Sequence, residues 1–218
     1  MQPIFHQINC WEGNHPDYRQ ARAVLRYKPD IIIFEMPQGK RGNPASVFNR
    51  YPPEKKPDRE IRKIRAALMR ASKKFRYAFS DLRTWTNIDQ LWKSGHQVLL
   101  FNVDAPEDLR YEAFATWKSA YHSAINDWRW WVPLYLRERI MANHIRSILK
   151  NQHSKERPII LIFLQSIHWK HVRFLLTDPS EKEIWDYYFG RFPKLNREVL
   201  RSKIKKISRI YYKYWIAK

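Results

Sequence analysis

Four titratable residues lie at the ends of apolar stretches of strand length. His15 and His168 each follow such a stretch at a turn towards a helix, Glu35 lies at the tip of another, and Asp104 follows a fourth. Because the carboxyl ends of parallel strands meet at one edge of a sheet, we expect these side chains to converge. Two imidazoles with one or two carboxylates can hold a divalent metal that activates water, or act without metal as an acid–base pair.

The same residues also have a purely structural interpretation. A histidine at a strand-to-helix turn can cap the helix or satisfy a buried backbone group. His168 and His171 are three residues apart and can face one side of a helical turn, but their spacing is not that of the HExxH metal motif. The spacing alone therefore leaves both interpretations open.

The elements that must position these residues are organised around residues 158–172, PIILIFLQSIHWKHV. A continuous apolar run without alternation predicts a strand that is buried on both faces, at the centre of a parallel sheet. Caps, prolines and hydrophobic periodicity predict the other elements. Strands are expected at 4–10, 30–36, 97–103 and 184–189, and helices at 17–28, 60–77, 86–93, 111–131, 134–150, 169–177 and 197–209, with Pro133 in the first turn of the helix at 134–150.

A weak internal repeat supports an α/β fold. The order strand, histidine turn, helix, strand occurs in residues 4–33 and again in residues 159–185. We expect a three-layer α/β domain with a mostly parallel central sheet, helices on both faces and two related βαβ halves. Residues 1–190 would form this domain, with a long loop at 37–59. Residues 191–218 would form a basic, aromatic C-terminal helix and tail that packs on the domain or extends from it.

Cysteine content and hydropathy predict the compartment. Cys10 is the single cysteine, which excludes an internal disulfide and a Cys-rich metal site. No stretch approaches the roughly 18 apolar residues of a transmembrane helix, and the N-terminus lacks the order of a signal peptide. We therefore expect a cytoplasmic protein without a transmembrane segment.

The charge balance is strongly basic. The chain has 41 Lys and Arg against 21 Asp and Glu, a net charge of +20. Such a charge favours a polyanionic partner such as nucleic acid, although it also arises in proteins that it merely keeps soluble. The candidate anion-binding residues lie in the long loop, in the helix at 60–77 and in the C-terminal helix: Lys40, Arg41, Lys73, Lys74, Lys205 and Lys206.

Four sequence blocks, in order, resemble a known superfamily. They are the turn EGNH, which ends at His15, the strand KPDIIIFEM, which contains Glu35, the helix RERIMANHI, which begins at Arg137, and LIFLQSIHWKHVRFLL, which contains His168. The ordered set is similar to the superfamily that joins TraB/PrgY-like proteins, Tiki-type proteases, ChaN-like proteins and erythromycin esterase. With the strand VLLFNVDAP between them, the blocks cover most of residues 4–176.

The resemblance implies a hydrolase, metallopeptidase-like or esterase-like, that acts on a small-molecule or peptide substrate. Its catalytic residues would be His15, Glu35, His168 and Arg137, and the arginine would bind a substrate carboxylate or phosphate or stabilise an oxyanion. In a metal-dependent form, His15, Glu35, His168 and Asp104 would hold zinc or manganese.

Departures from the family pattern keep two other functions open. Glu12 and Gln165 occupy the positions at which the family's turns have glycine. One alternative is therefore a basic nucleic-acid-binding or interaction protein on the same scaffold, with a decayed active site. Another is a scaffold protein or homodimer that associates through the Trp- and Tyr-rich helix at 111–131.

Overall fold

The structure is a computed structural model that describes residues 3–8, 18–37, 82–105, 128–151, 157–202 and 204–205. The predicted loop at 37–59, the helix at 60–77 and most of the helix at 111–131 lie outside these residues. The elements in chain order are β1 (Ile4–Ile8), α1 (Tyr18–Tyr27), β2 (Ile31–Pro37), α2 (Leu82–Lys93), β3 (Leu99–Asp104), α3 (Trp128–Asn151), β4 (Ile159–Phe163), α4 (Ser166–Leu176) and α5 (Glu181–Phe189). None of the helices in this part of the chain is long and apolar enough to cross a bilayer.

The four strands form one sheet in the order β1-β4-β2-β3, and every neighbouring pair is parallel. Ile160 of β4 lies between Phe5 of β1 and Ile31 of β2. Residues 31–34 of β2 and 160–163 of β4 are almost fully buried, as their unbroken Ile/Leu/Phe runs predict. Because all four strands run the same way, their carboxyl ends lie at one edge.

Helices cover both faces of the sheet, so the protein is a three-layer α/β domain. On one face Ile32, Phe34, Leu161 and Phe163 pack with residues of α1 and α2. On the other face the alternating residues Ile31, Ile33, Ile160 and Ile162 pack with α3, α4 and α5. The described part of the C-terminal segment is helical at 197–202 and 204–205, and its Leu200 is fully buried in this second core. The expected fold class is confirmed.

A β-bulge occurs where β2 ends. Phe34 pairs with Asn102 of β3, but the next pair is Pro37 with Asp104, so β2 has one more residue than β3 between these pairs. Glu35 lies within this irregular step. Bulges redirect side chains at the ends of strands and are frequent beside active sites.

The strand predicted at 184–189 is wrong, because these residues belong to helix α5. The signal for a helix is present in the sequence. Ser180 and Glu183 form a reciprocal capping box, and Ile184, Trp185, Tyr188 and Phe189 recur with the period of a helix face. The second half of the repeat is therefore β-α-α and not βαβ, so the two halves are related only up to their first helix.

The helix start predicted at Pro133 is also wrong, because α3 begins at Trp128 and continues through Pro133 to Asn151. Proline removes one backbone hydrogen bond inside a helix, which predicts a boundary. The burial of Trp131, Val132 and Leu134 on the sheet favours one continuous helix instead. Tertiary packing therefore outweighs the local cost of the proline.

Candidate functional site

The guanidinium of Arg137, on α3, lies at the centre of the candidate site. Its Nε and Nη2 atoms donate hydrogen bonds to the two carboxylate oxygens of Asp104, each at 2.7 Å. This bidentate arrangement is the strongest form of an arginine–carboxylate pair. Asp104 ends β3, and its Oδ1 also accepts a hydrogen bond from the backbone N–H of Ala105 at 2.7 Å. The carboxylate is thus fixed from two sides.

Glu35 connects the same arginine to the start of α4. Its Oε1 accepts a hydrogen bond from Nη2 of Arg137 at 2.9 Å, and its Oε2 accepts one from the backbone N–H of Gln165 at 2.7 Å. Gln165 precedes α4 and provides no side-chain cap of its own. The positive end of the helix dipole stabilises a carboxylate at this position. Glu35, at the end of β2, therefore satisfies a backbone N–H at the start of α4, the helix that follows β4.

His168 lies in the first turn of α4, and its hydrogen bonds define its tautomer. Its Nε2 atom is 3.0 Å from Nη1 of Arg137, and its Nδ1 atom is 2.9 Å from Oε1 of Glu138. Because arginine has only donors, Nε2 must accept, and the proton of the neutral ring lies on Nδ1, from which it is donated to Glu138. The Nε2 lone pair therefore points to Arg137. The Nε2 atom also lies 3.5 Å from Oε1 of Glu35.

A buried chain of three residues supports this orientation. Glu138 is fully buried, and its second oxygen accepts a hydrogen bond from the hydroxyl of Tyr188 at 2.8 Å. Tyr188 is also fully buried. The order Tyr188–Glu138–His168 follows the logic of a catalytic triad, in which a buried carboxylate holds an imidazole in one tautomer and stabilises its protonated form.

Burial and charge shift the pKa values of these groups. Burial raises the pKa of Glu138 well above its ordinary value, although the Tyr188 hydrogen bond and the charge of Arg137 act in the opposite direction. Burial and the neighbouring Glu138 carboxylate raise the pKa of Tyr188, which keeps its proton. Burial alone would lower the pKa of Arg137, but Asp104 and Glu35 outweigh it and raise the value. Arg137 is therefore permanently charged.

Two further histidines line the site without joining it. His171 lies beneath it, against the rings of Trp131, Tyr187 and Tyr188. Burial, with the cations Lys170 and Arg191, lowers the pKa of His171 to about 4. His144 donates from Nδ1 to the backbone carbonyl of Val103 at 2.8 Å, next to Asp104. Nδ1 of His171 lies 3.8 Å from Oε2 of Glu138, so this imidazole borders the buried chain without a hydrogen bond to it.

Glu35, Asp104, Arg137 and His168 together form what we call the edge cluster. Four of the five N–H groups of Arg137 bind Asp104, Glu35 and His168, and the fifth, on Nη1, has no partner among the described residues. One guanidinium faces two carboxylates, which gives the cluster a negative excess. The side chain of Arg137 is 13% exposed and those of Glu35 and His168 are 8% and 6% exposed. A neutral or cationic substrate suits this charge better than an anion does.

The donor types of the edge cluster suit a divalent metal, and the guanidinium of Arg137 contacts all of them in this structure. It supplies positive charge to both carboxylates and lies 3.0 Å from Nε2 of His168, the ring nitrogen that a metal would take. Among the described residues there is no group of three or more His, Cys, Asp or Glu that could hold a metal ion. The zinc or manganese site expected from the sequence therefore depends on His15 and stays a prediction.

The structure brings together four of the five residues expected at the edge: Glu35, Asp104, Arg137 and His168. The fifth, His15, lies outside the described residues, as do Lys40, Arg41, Lys73, Lys74 and Lys206 of the anion-binding set. Lys205 is described and exposed, on the face of the domain formed by α3 and α5.

Sequence analysis missed two residues of the site. Glu138 follows Arg137 directly in the block RERIMANHI, so an acidic residue beside the arginine was a visible signal. Tyr188 gave no such signal, because its segment was assigned to a strand and its partner lies 50 positions away. Only the packing of α5 on α3 brings its hydroxyl to Glu138.

Comparison with protein-family models finds no match to this chain, and comparisons with curated proteins and with solved structures find none either. The resemblance to the TraB, Tiki, ChaN and erythromycin esterase superfamily therefore stays a prediction from the sequence blocks.

Proposed function

We propose that the chain is a hydrolase in which His168 and Glu35 act as an acid–base pair at the carboxyl edge of the sheet. The observation that supports this most directly is the hydrogen-bonded chain Tyr188–Glu138–His168. A purely structural histidine needs no buried carboxylate to select its tautomer. A general base does, because the carboxylate stabilises the imidazolium that forms when the base takes a proton.

The geometry suggests how substrate binding activates the base. In the resting site, the Nε2 lone pair of His168 accepts a hydrogen bond from Nη1 of Arg137. A substrate carbonyl oxygen that takes up the N–H groups of Nη1 releases this lone pair for a water molecule. His168 then removes a proton from the water, whose oxygen attacks the carbonyl carbon, while Arg137 stabilises the oxyanion. Glu35, 3.5 Å from Nε2, stabilises the imidazolium. When the carbonyl re-forms and the C–O or C–N bond breaks, the imidazolium gives its proton to the leaving alkoxide or amine.

The charge of the site and the predicted His15 complete the proposal. The negative excess of the edge cluster favours neutral or cationic esters and amides, such as small-molecule esters or peptides. His15 follows β1, whose end lies beside Phe163 at the end of β4, so it is expected near the same edge. There it would supply a second imidazole. In a metal-dependent form of the same hydrolase, His15 would join Glu35, Asp104 and His168 as a ligand of zinc or manganese.

The test is hydrolysis of a panel of p-nitrophenyl esters, neutral, cationic and anionic, and of aminoacyl anilides. We expect the parent to prefer neutral or cationic substrates, and His168→Asn or Glu35→Gln to lower kcat/KM by about 10²- to 10⁴-fold, the usual contribution of a general base. Activity that survives EDTA supports the metal-free form, whereas loss and recovery with zinc or manganese support the metal form.

The matched control is His96→Asn. His96 also lies beside a strand, but at the opposite edge, where its Nε2 atom contacts the backbone carbonyl of Pro29 at 3.1 Å. This variant should keep kcat/KM within about twofold of the parent, as expected for a residue remote from the chemistry. If His168→Asn and His96→Asn have the same activity, the acid–base proposal is wrong.

A further inference from the structure

A basic cleft lies on the outer side of α3, apart from the edge cluster. It is formed by α3, by the turn between α4 and α5, by α5 and by the C-terminal helical residues, and its volume is about 840 Å³. This volume falls in the range of pockets that bind small molecules and cofactors, roughly 300–1,000 Å³. None of the residues of the edge cluster lines it.

The charge of this basic cleft is strongly unbalanced. Six basic residues line it against two acidic ones, Asp178 and Glu181; the basic residues are Arg139, Arg146, Lys182, Arg197, Arg201 and Lys205. Arg146 is committed to the protein, because it binds Asp178 at 3.3 Å, the side chain of Asn143 and the carbonyl of Leu175. The other five remain accessible to an anion.

The one other acidic contact in the basic cleft is weak. Arg201 lies 3.9 Å from Glu181, and their side chains are 71% and 94% exposed. Exposed pairs of this kind contribute little and exchange readily for another anion. Arg139, Lys182, Arg197 and Lys205 have no carboxylate within salt-bridge distance in the described part of the chain. Within the described part of the chain, several cations therefore converge here without a carboxylate that neutralises them.

An aromatic surface accompanies the cations. Trp185 is half-buried in the wall of the basic cleft, and the guanidinium of Arg197 lies 5.2 Å from the centre of its ring. Planar guanidinium groups and indole rings are the surfaces on which nucleobases stack. Both chemical features of a nucleotide, an anionic phosphate and a flat base, therefore find partners here.

We propose that the basic cleft binds a nucleotide, either free or as part of a single strand, with the base against Trp185 and Arg197 and the phosphates against Arg201, Lys182 and Lys205. This site is independent of the proposed hydrolase activity. It would place the polyanion partner expected from the net charge on one face of the domain. Of the residues that form this face, the sequence analysis had named Lys205 alone as a candidate for anion binding.

The test measures binding of the full-length protein, at physiological salt, to a labelled oligothymidylate of about eight nucleotides, to ATP and to inorganic pyrophosphate. In Arg197→Glu/Arg201→Glu we expect affinity for the oligonucleotide or for ATP to fall at least about tenfold. For the oligonucleotide, the slope of log K against log salt should also fall by about one, since Arg201 is the phosphate contact of this pair and each lost phosphate contact removes about one.

The matched control is Arg22→Glu/Arg26→Glu, which changes the net charge equally. Both arginines are exposed on α1, which covers the opposite face of the sheet. Charges farther apart than the Debye length of about 8 Å are largely screened, so this variant should lose less than about twofold. Equal losses in the two double variants mean that only the net charge attracts the ligand, and they overturn the proposal.

Trp185→Leu separates a nucleotide from a simple anion. It should lower the affinity for the oligonucleotide or ATP by about tenfold, in line with one stacked base, and leave pyrophosphate unaffected. Loss with the oligonucleotide identifies a strand as the ligand, and loss with ATP alone identifies a free nucleotide. The proposal is overturned if none of the probes binds, or if Trp185→Leu has no effect. Circular dichroism shows whether each variant is folded. Arg197→Gln/Arg201→Gln removes the two positive charges without adding negative ones, so weaker binding by this variant in its folded state reports the lost contacts.

Discussion

The two edges of the sheet contain the same types of residue and use them differently. At the amino edge, Oδ2 of Asp30 accepts a hydrogen bond from the backbone N–H of Ile159 at 2.9 Å, and His96 contacts the carbonyl of Pro29. At the carboxyl edge, Glu35 and His168 contact Arg137 and, through it, Asp104. An acid and a histidine lie beside strand ends in both places.

The two edges differ in what their side chains bind and not in the types of residue that they contain. At the amino edge the side chains complete backbone hydrogen bonds that the ends of the strands leave open, which is a structural task. At the carboxyl edge charged side chains bind one another around one arginine. Groups in such clusters perturb each other's proton affinity, and that is typical of functional sites.

Removal of the central cation should have the largest effect on stability. Arg137→Met keeps much of the side-chain volume but leaves the carboxylates of Asp104 and Glu35 without a counter-charge in a site where both are buried. We expect the free energy of unfolding to fall by about 3–5 kcal/mol at pH 7. The loss should be smaller at acidic pH, where the carboxylates take up protons. Urea denaturation measures both.

Arg201→Met is the matched control for this change. Arg201 pairs with Glu181 at 3.9 Å on an exposed surface, so its loss should cost less than about 1 kcal/mol. A cost below about 1 kcal/mol for Arg137→Met as well would mean that the edge cluster is not a coupled set of charges.

Glu138→Gln should change stability and activity in opposite directions. Its folded pKa is raised above the unfolded value, mainly by burial, so the wild-type group favours folding most at low pH and loses this contribution as pH rises above about 4.3. Glutamine removes that loss and still accepts the hydrogen bond from His168. We expect the variant to be more stable than the parent at pH 8 and to lose this advantage as the pH falls towards about 4.

The proposed hydrolase activity of Glu138→Gln should fall by about 10²-fold, because the imidazolium of His168 loses its negative partner. Denaturation at pH 5 and pH 8, with ester hydrolysis alongside, measures the two effects. A variant that is less stable than the parent at pH 8 and equally active would contradict both parts.

The amino edge should show the smallest effect, and on stability alone. Asp30→Ala removes the acceptor for the N–H of Ile159 and should cost about 1–2 kcal/mol. Asp30→Asn retains an oxygen that can accept this bond and should cost less. Neither variant should change kcat/KM of the proposed activity by more than about twofold. A large loss of activity in either would remove the distinction between the two edges.

The strands and their edge could be predicted because the signals are local. Unbroken apolar runs predict strands buried on both faces, and Glu35 and Asp104 lie at strand ends by sequence position alone. The errors were also local. Residues 184–189 were predicted as a strand although the capping box at Ser180 indicates a helix. A helix boundary was predicted at Pro133 because proline removes one hydrogen bond, but the burial of the residues around it outweighs this loss.

The sequence by itself determined the α/β class, the central strands and the presence of acidic and imidazole groups where those strands end. Only the tertiary structure decided which of these groups bind one another. Arg137 lies 33 positions from Asp104 and 102 from Glu35, and Tyr188 lies 50 positions from Glu138. Local periodicity contains no information on such pairs, because they form only when α3, α4 and α5 pack together on one face of the sheet.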